Sequence, residues 1–272
     1  MNVLVIFTCF NRKQKTINCI KKIVNGNKNI NFQFVIVDAG SCDGTLEEIK
    51  NTSTQIPIKL LEEENVYYSQ GMHIGMEYAI HDLNRNFNYL FMCNDDVDFF
   101  EGAIQNLIEQ SIEQNDSIIV GATSDSQGNL SYGAIKYIKG YKYITFGLAD
   151  YEKNADSCNA NAVLIPYDMF LKVGSIDSKY IHSLGDFDYG LQLSRAGFAI
   201  HTSKQFVGIC NDNPSKGTWT DISLSRKDRI KAKENVKGAP AKQWYYFLKK
   251  NFGLLNAIKG SITPFIRILL RR

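Results

Sequence analysis

Phe34-Val-Ile-Val-Asp-Ala-Gly-Ser-Cys-Asp-Gly-Thr45 holds a complete strand–turn–helix step. Four apolar residues without alternation suit a strand buried on both faces. They close on Asp38, Gly40 and Gly44 permit a tight turn, and Thr45 reads as the cap of a helix. The same step recurs on either side. Val3 to Phe7 reads as a strand, followed by a helix from Gln14 to Val24 with apolar Ile17, Ile20, Ile23 and Val24. Ile58 to Leu61 is a strand before a helix from Ser69 to Leu83. Tyr89 to Met92 is a strand before a helix from about Glu101 to Glu113, and Ser117 to Gly121 is a fifth strand. Strand and helix in alternation predict an α/β fold with a doubly wound, mostly parallel sheet. Such sheets bind ligands at the carboxyl ends of their strands. Beyond residue 125 the pattern loosens into turns, short Tyr-rich strands from Tyr132 to Phe146, a helix after Pro166 and another from Asp188 to Ala196.

The chain of 272 residues is 44% hydrophobic and 22% charged, enough to bury a large core. Five prolines and twenty glycines exclude collagen-like and low-complexity classes. Six cysteines without a C-x-x-C pair exclude zinc ribbons and thioredoxin-type motifs, leaving buried thiols in a reducing compartment as the expectation. The net charge of +3 hides an asymmetry. Arg226 to Arg272 carries 13 basic and 2 acidic residues, a net of +11, against −8 for the rest. An acidic body with a basic tail points to an anionic surface, either nucleic acid or membrane. No run reaches the roughly 18–20 apolar residues of a membrane span. The apolar opening lacks the flanks of a secretory signal, so a cytoplasmic location is expected.

Three clusters carry chemistry. Asp38 to Thr45 follows a strand and opens a helix, where Asp38 could accept hydrogen bonds from a base or ribose; an Asx-turn with a helix cap accounts for it equally well. There is no G-x-G-x-x-G and no G-K-[ST] loop, so dinucleotide dehydrogenases and P-loop NTPases lose support. Cys93-Asn-Asp-Asp-Val-Asp98 crowds carboxylates at a strand end, which favours a hard divalent cation shared with a diphosphate, or else a solvated acidic turn. His182-Ser-Leu-Gly-Asp-Phe-Asp-Tyr-Gly190 runs into a helix. Carboxylates are favoured there in any case. The cap is assigned to Asp188, leaving Asp186 as a general base.

Together the three clusters resemble a family 2 glycosyltransferase of the GT-A fold. Val5-Ile-Phe-Thr-Cys-Phe-Asn-Arg12 is similar to that family's first strand and Asn-Arg ending. Val35 to Thr45 is similar to its Val-Val-Asp-Asp-Gly-Ser-Thr-Asp-Gly-Thr segment, with Ala39 in place of the second Asp. Asn94-Asp95-Asp96 falls at its D-x-D metal motif, with Asn replacing the leading carboxylate. Gly185-Asp186 falls at its Glu-Asp pair, with Gly replacing Glu. Gly71-Met-His-Ile-Gly75, Gly185 to Gly190 and Lys216-Gly-Thr-Trp219 resemble bacterial polysaccharide-assembly and rhamnosyltransferase-like members.

The resemblance covers about residues 1–215. It implies a catalytic domain there, with a nucleotide-sugar half to about 120 and an acceptor half from about 121, and a basic amphipathic extension over 216–272. It implies inverting transfer of a sugar from a nucleotide-diphosphate-sugar to a hydroxyl of a glycan or lipid-linked acceptor. Asp186 is then the base. Asp96, with Asp95, holds Mn²⁺ or Mg²⁺, and Cys210 lies where many members supply a late His ligand. Thr8, Phe10, Asn11, Arg12, Asp38, Gly71, His73, Asp95 and Lys216 are expected at the donor. His182, Asp188 and Trp219 are expected at the acceptor or behind it, although a packed aromatic explains Trp219 as well. Tyr132, Tyr137, Tyr141 and Tyr143 fit core, acceptor groove or interface. A non-catalytic nucleotide-sugar-binding module and a sugar nucleotidyltransferase are the alternatives. The tail, with Ile258, Ile262, Phe265, Ile266 and Leu269 near one helical face, is expected to touch the inner face of the plasma membrane rather than nucleic acid, with an oligomer left open.

Overall fold

The computed structural model describes residues 1–83, 86–211 and 214–271. Strands β1 (Asn2–Cys9), β2 (Asn31–Asp38), β3 (Ile58–Glu62) and β4 (Tyr89–Cys93) pair in the parallel order β4-β1-β2-β3. The sheet continues beyond β4 through Ala162–Pro166, Ile118–Val120 and Ile200–Thr202. Ala162–Pro166 runs antiparallel to both of its neighbours. The fold is therefore the expected mostly parallel α/β sheet. The fifth predicted strand lies two places from β4, because a later apolar run, which the sequence pattern does not single out, inserts between them.

Burial explains why the strands read as continuous apolar runs. Val3, Val5 and Phe7 face a layer with Ile17, Ile20 and Ile23 of α1 (Lys13–Asn25). Leu4 and Ile6 face the opposite layer with Met72, Met76 and Ala79. Those three belong to α3 (Tyr68–His81), which follows α2 (Thr45–Thr52) in the chain. Ile104, Leu107 and Ile108 of α4 (Ala103–Glu113) join the first layer. The second takes Phe170 of α5 (Tyr167–Val173) and Leu193 of α6 (Gly185–Arg195). Helix α3 sits unusually close to the sheet: a Cβ on Gly71 would lie 2.6 Å from Thr8 Cγ2, and one on Gly75 2.9 Å from Ile6 Cγ2. The Gly71–Gly75 spacing is a packing device.

The tail forms α7 (Arg226–Glu234), α8 (Ala241–Phe252) and α9 (Leu254–Leu269), and α9 runs through Pro264 without ending. It docks on the body. Phe247, Leu248 and Ala257 share a buried cluster with Tyr180 and Leu191, flanked by Tyr137 and Tyr141. At its centre Lys250 Nζ donates to Asp188 at 2.7 Å and to Asp177 at 2.8 Å. Asn251 Nδ2 and Gln192 Nε2 also donate to the fully buried Asp188. Asp188 is therefore no helix cap, as the sequence reading had it; the helix start has Leu184 at its capping position. A carboxylate this deep must be met by donors, and the tail supplies two of them.

Burial works against ionisation of Asp177, but hydrogen bonds from Lys250 and the Tyr246 hydroxyl outweigh it and hold the carboxyl down from 3.8 to about 2. The network thus stabilises the fold above the unfolded value and loses that contribution as pH falls toward 2. Lys250→Ala is expected to lower unfolding free energy by roughly 3 kcal/mol at pH 7. Urea denaturation reads this, and the gap to the parent should narrow from pH 4 downward. A loss under about 0.5 kcal/mol would mean that the network does not hold the tail.

Candidate active site

The carboxyl ends of β4, β1 and β2 lie side by side, and their loops are laced together. Asn11 N–H donates to Ser41 Oγ at 2.8 Å, while Cys42 N–H donates to Asn11 Oδ1 at 2.8 Å. Lys13 N–H donates to Asp43, whose other oxygen accepts the Thr45 N–H at 3.0 Å. Gly44 holds the capping position of α2 with φ 84°, and Asp43 before it takes the first helical N–H; Thr45, the cap expected from sequence, is the first helical residue. Asp38 is buried, and its oxygens accept from Gly40 N–H at 3.2 Å, Ser41 N–H at 2.8 Å and the Cys9 thiol. It shapes the loop that forms one wall of the cleft.

The β4 edge is organised by one guanidinium. Arg12 Nη1 donates to Asp95 Oδ1 and to Asp96 Oδ2, each at 2.9 Å. Asp95 is buried and also accepts from Thr16 Oγ1 at 2.7 Å. Burial raises its pKa, and the Thr16 and Arg12 contacts offset only part of that rise. Asp96 is half-buried at the cleft. Asn94, standing where a leading carboxylate was expected, bonds through its amide to Asn161 just before the antiparallel strand. Asp98 turns away to Asn18 and Lys22.

Asp186 occupies the first turn of α6 and accepts from Phe187 N–H at 2.9 Å and Ala160 N–H at 3.3 Å. Burial pushes its pKa up to about 6 despite those two backbone donors. The residue before it must be glycine. A Cβ on Gly185 would lie 2.5 Å from Ser69 Oγ and 2.8 Å from Ser69 Cβ, so the close crossing of α3 leaves no room for a glutamate. Ser69 Oγ in turn donates to the His182 carbonyl at 2.7 Å.

Tyr68 lies on α3. Its hydroxyl is buried without a hydrogen-bond partner among the described residues, and its pKa lies well above the ordinary value through burial first and then the charges of Asp186 and, more weakly, Asp96. Its place beside His182 is set by the tertiary fold, since an aromatic pair after a strand carries no polar pattern. His182 lies edge-on to Tyr68 and Tyr67. Its pKa falls to about 4, through burial first and then the charges of Lys237 and Arg12. Tyr143 packs on Phe187 and feels the Asp186 charge.

The structure thus gathers Arg12, Asp95, Asp96, Asp186 and His182, and adds Tyr68. It does not bring in all the expected residues. Gly71 meets Thr8 in the helix–sheet contact. His73 Nδ1 is engaged by the Ile176 carbonyl at 2.8 Å and by Ser175 Oγ. Phe10 is exposed. Lys216 lies in an exposed turn whose Gly217 N–H donates to Asp221. Trp219 belongs to the tail, with the Arg267 guanidinium 5.5 Å from its ring centre. Among the described residues no three His, Cys, Asp or Glu side chains group closely enough to cage a metal, so Cys210 does not complete such a set.

The family model for glycosyl transferase family 2 matches residues 4–165, over half of the chain, and the protein belongs to that family. Solved structures share its fold. A mannosyltransferase of Pyrobaculum calidifontis, PcManGT, solved with GDP-Man and Mn²⁺, is 11% identical at a TM-score of 0.58, over 99% of this chain and 73% of that one. The TarS fragment 1–349 of S. aureus is 10% identical at a TM-score of 0.58, over 98% of this chain and 81% of that one. No curated protein matches the chain by sequence.

Proposed function

We propose that the chain transfers a sugar with inversion from a nucleotide-diphosphate-sugar to an acceptor hydroxyl in bacterial surface polysaccharide or glycolipid synthesis. The observation that carries this reading is Asp186, a carboxylate raised to about 6 by burial at the start of α6, in a family 2 chain whose β4 edge sets Asp95 and Asp96 on Arg12. A base poised near neutral pH is ionised when needed and still takes up a proton readily. Asp186 accepts the acceptor's hydroxyl proton as the oxygen attacks the anomeric carbon opposite the leaving diphosphate. The N–H groups of Phe187 and Ala160 aim the carboxylate. The laced loops after β1 and β2 form the nucleotide wall.

Mn²⁺ or Mg²⁺ fits the β4 edge, since such ions settle for one or two carboxylates completed by water and substrate phosphates. Asp96, with Asp95 behind it, would hold the ion, which supplies neutralising charge to the diphosphate. The PcManGT complex with GDP-Man and Mn²⁺ is in keeping with this donor class. Arg12 keeps the two carboxylates from repelling each other.

The tail suits an interfacial role at the inner face of the plasma membrane. Ala257, Gly260, Pro264 and Ile268 of α9 are buried, chiefly against α7 and α8, while Leu255, Ile258, Ile262, Ile266 and Leu269 are 47–83% exposed. An apolar stripe flanked by cations settles at an anionic membrane surface.

Measurements of turnover, metal dependence and membrane binding test these statements. Asp186→Asn should leave donor binding nearly intact and lower turnover by at least about a hundredfold. In the parent, kcat/KM should fall tenfold per pH unit below about 6, because only the ionised carboxylate accepts the proton. Labelled nucleotide-sugars separate the readings: binding without turnover indicates a binding module, and sugar-nucleotide synthesis a nucleotidyltransferase. Excess chelator should abolish activity, and Asp96→Ala should weaken nucleoside diphosphate binding more than nucleoside binding; full activity in chelator removes the metal role. Co-sedimentation with anionic liposomes should drop when Ile262 and Ile266 are both changed to Glu, and equal partitioning would exclude α9 as the anchor.

A further inference from the structure

Both tryptophans of the chain, Trp219 and Trp244, line one cavity of about 250 Å³ within the tail. Tyr141 and Pro264 complete its apolar wall. Trp244 spends its indole N–H on the Gly260 carbonyl at 3.1 Å and stands edge-on to Tyr141. Its ring therefore offers the cavity aromatic carbon alone. Facing these rings are two cations, Lys233 and Arg267, and the lining contains no carboxylate.

Lys233 is a built feature rather than a surface lysine. It is 3% exposed, and its ammonium donates to the carbonyls of Gly238, at 3.2 Å, and Ala239. An ammonium carries three donors, so one remains beyond those two carbonyls. The turn that receives it is specialised. A Cβ on Gly238 would lie 2.1 Å from the Ala232 carbonyl oxygen, and Ala239 holds a left-handed φ of 53°. No acidic side chain forms an ion pair with Lys233 among the described residues. Burial disfavours the Lys233 ammonium, the charge of neighbouring Glu234 offsets only part of that cost, and an arriving anion offsets more.

We propose that this cavity binds the terminal phosphate or diphosphate of a single-chain lipid, with Lys233 and Arg267 on the phosphate and the tryptophans against the first carbons of the chain. Two cations without a carboxylate call for close to two negative charges. A phosphate monoester or diphosphate carries them at neutral pH, whereas the phosphodiester of a bulk phospholipid carries one. Arg267 also lies on α9 beside exposed Ile266, so a hydrocarbon chain leaving the cavity meets an apolar helix face. The same turn borders the candidate active site, because the Lys237 carbonyl accepts from Ser183 Oγ at 3.4 Å, next to His182. The inference stands apart from the transfer chemistry, and its test involves no turnover.

The test uses the full chain and its own tryptophan emission. Farnesyl diphosphate, kept below the concentration at which it aggregates, should change the emission saturably. The midpoint should rise about tenfold in Arg267→Gln, the size of one lost charge-assisted hydrogen bond, in a variant whose melting temperature matches the parent. Lys233→Met should remove the response if it melts with the parent; Arg267→Gln decides the matter if it does not fold. Farnesol and vesicles of phosphatidylglycerol in phosphatidylcholine supply the uncharged and phosphodiester comparisons. An unchanged midpoint in Arg267→Gln, an equal saturable response to farnesol or to the vesicles, or no saturable response to farnesyl diphosphate would each overturn the proposal.

Discussion

A fully buried carboxylate, Asp188, imposes the arrangement on which the C-terminal half of this molecule rests. Its charge is met by Lys250 and Asn251 from α8 and by Gln192 from its own helix, so α6 and the tail must come together for either to be stable. Two residues earlier on α6, Asp186 has backbone N–H donors and no cation, and burial lifts its pKa. The first turn of one helix thus holds two carboxylates in opposed environments, one met by side-chain donors and one by backbone N–H groups alone. Divergent environments for nearby acids are how a single fold separates such tasks.

The opposite wall of the cleft solves a related problem with a different residue. Asp95 and Asp96 are consecutive and would repel, and Arg12, from the loop after β1, answers both. That contact ties β1 to β4 at their carboxyl ends, just as the Asn11, Ser41 and Cys42 bonds tie β1 to β2. The departures from the family's pattern then have local causes. Gly185 is demanded by the approach of Ser69, and Asn94 is engaged with Asn161 at the entry to the antiparallel strand. Neither departure removes Asp186 or Asp96 from the cleft.

The tail unites these themes. Its inner face completes a hydrophobic cluster with α6 and the Tyr137–Tyr141 hairpin, while its outer face remains apolar and exposed. A helix that buries one stripe against the body and presents another to solvent is suited to two neighbours at once. Among the described residues no helix is long and apolar enough to cross a membrane.

The sequence alone determined the β1 to β4 sequence of strands, the helices between them, and the placing of Asp38, Asp95 and Asp96 at or just past strand ends and of Asp186 at a helix start. These rest on local periodicity and turn chemistry, which neighbouring residues encode directly. It also identified the basic amphipathic tail by composition. Only the tertiary structure decided the insertion of Ala162–Pro166 beside β4, because a short apolar run says nothing of its partner or direction. Only it replaced the helix-cap reading of Asp188, since its partner is a lysine 62 positions away in the chain. For the same reason Gly71 packs on Thr8, His73 bonds to the Ile176 carbonyl, Trp219 lines a cavity of the tail, and Tyr68 joins His182. What a side chain does depends on what is packed against it, and burial and pairing are set by residues distant in the chain.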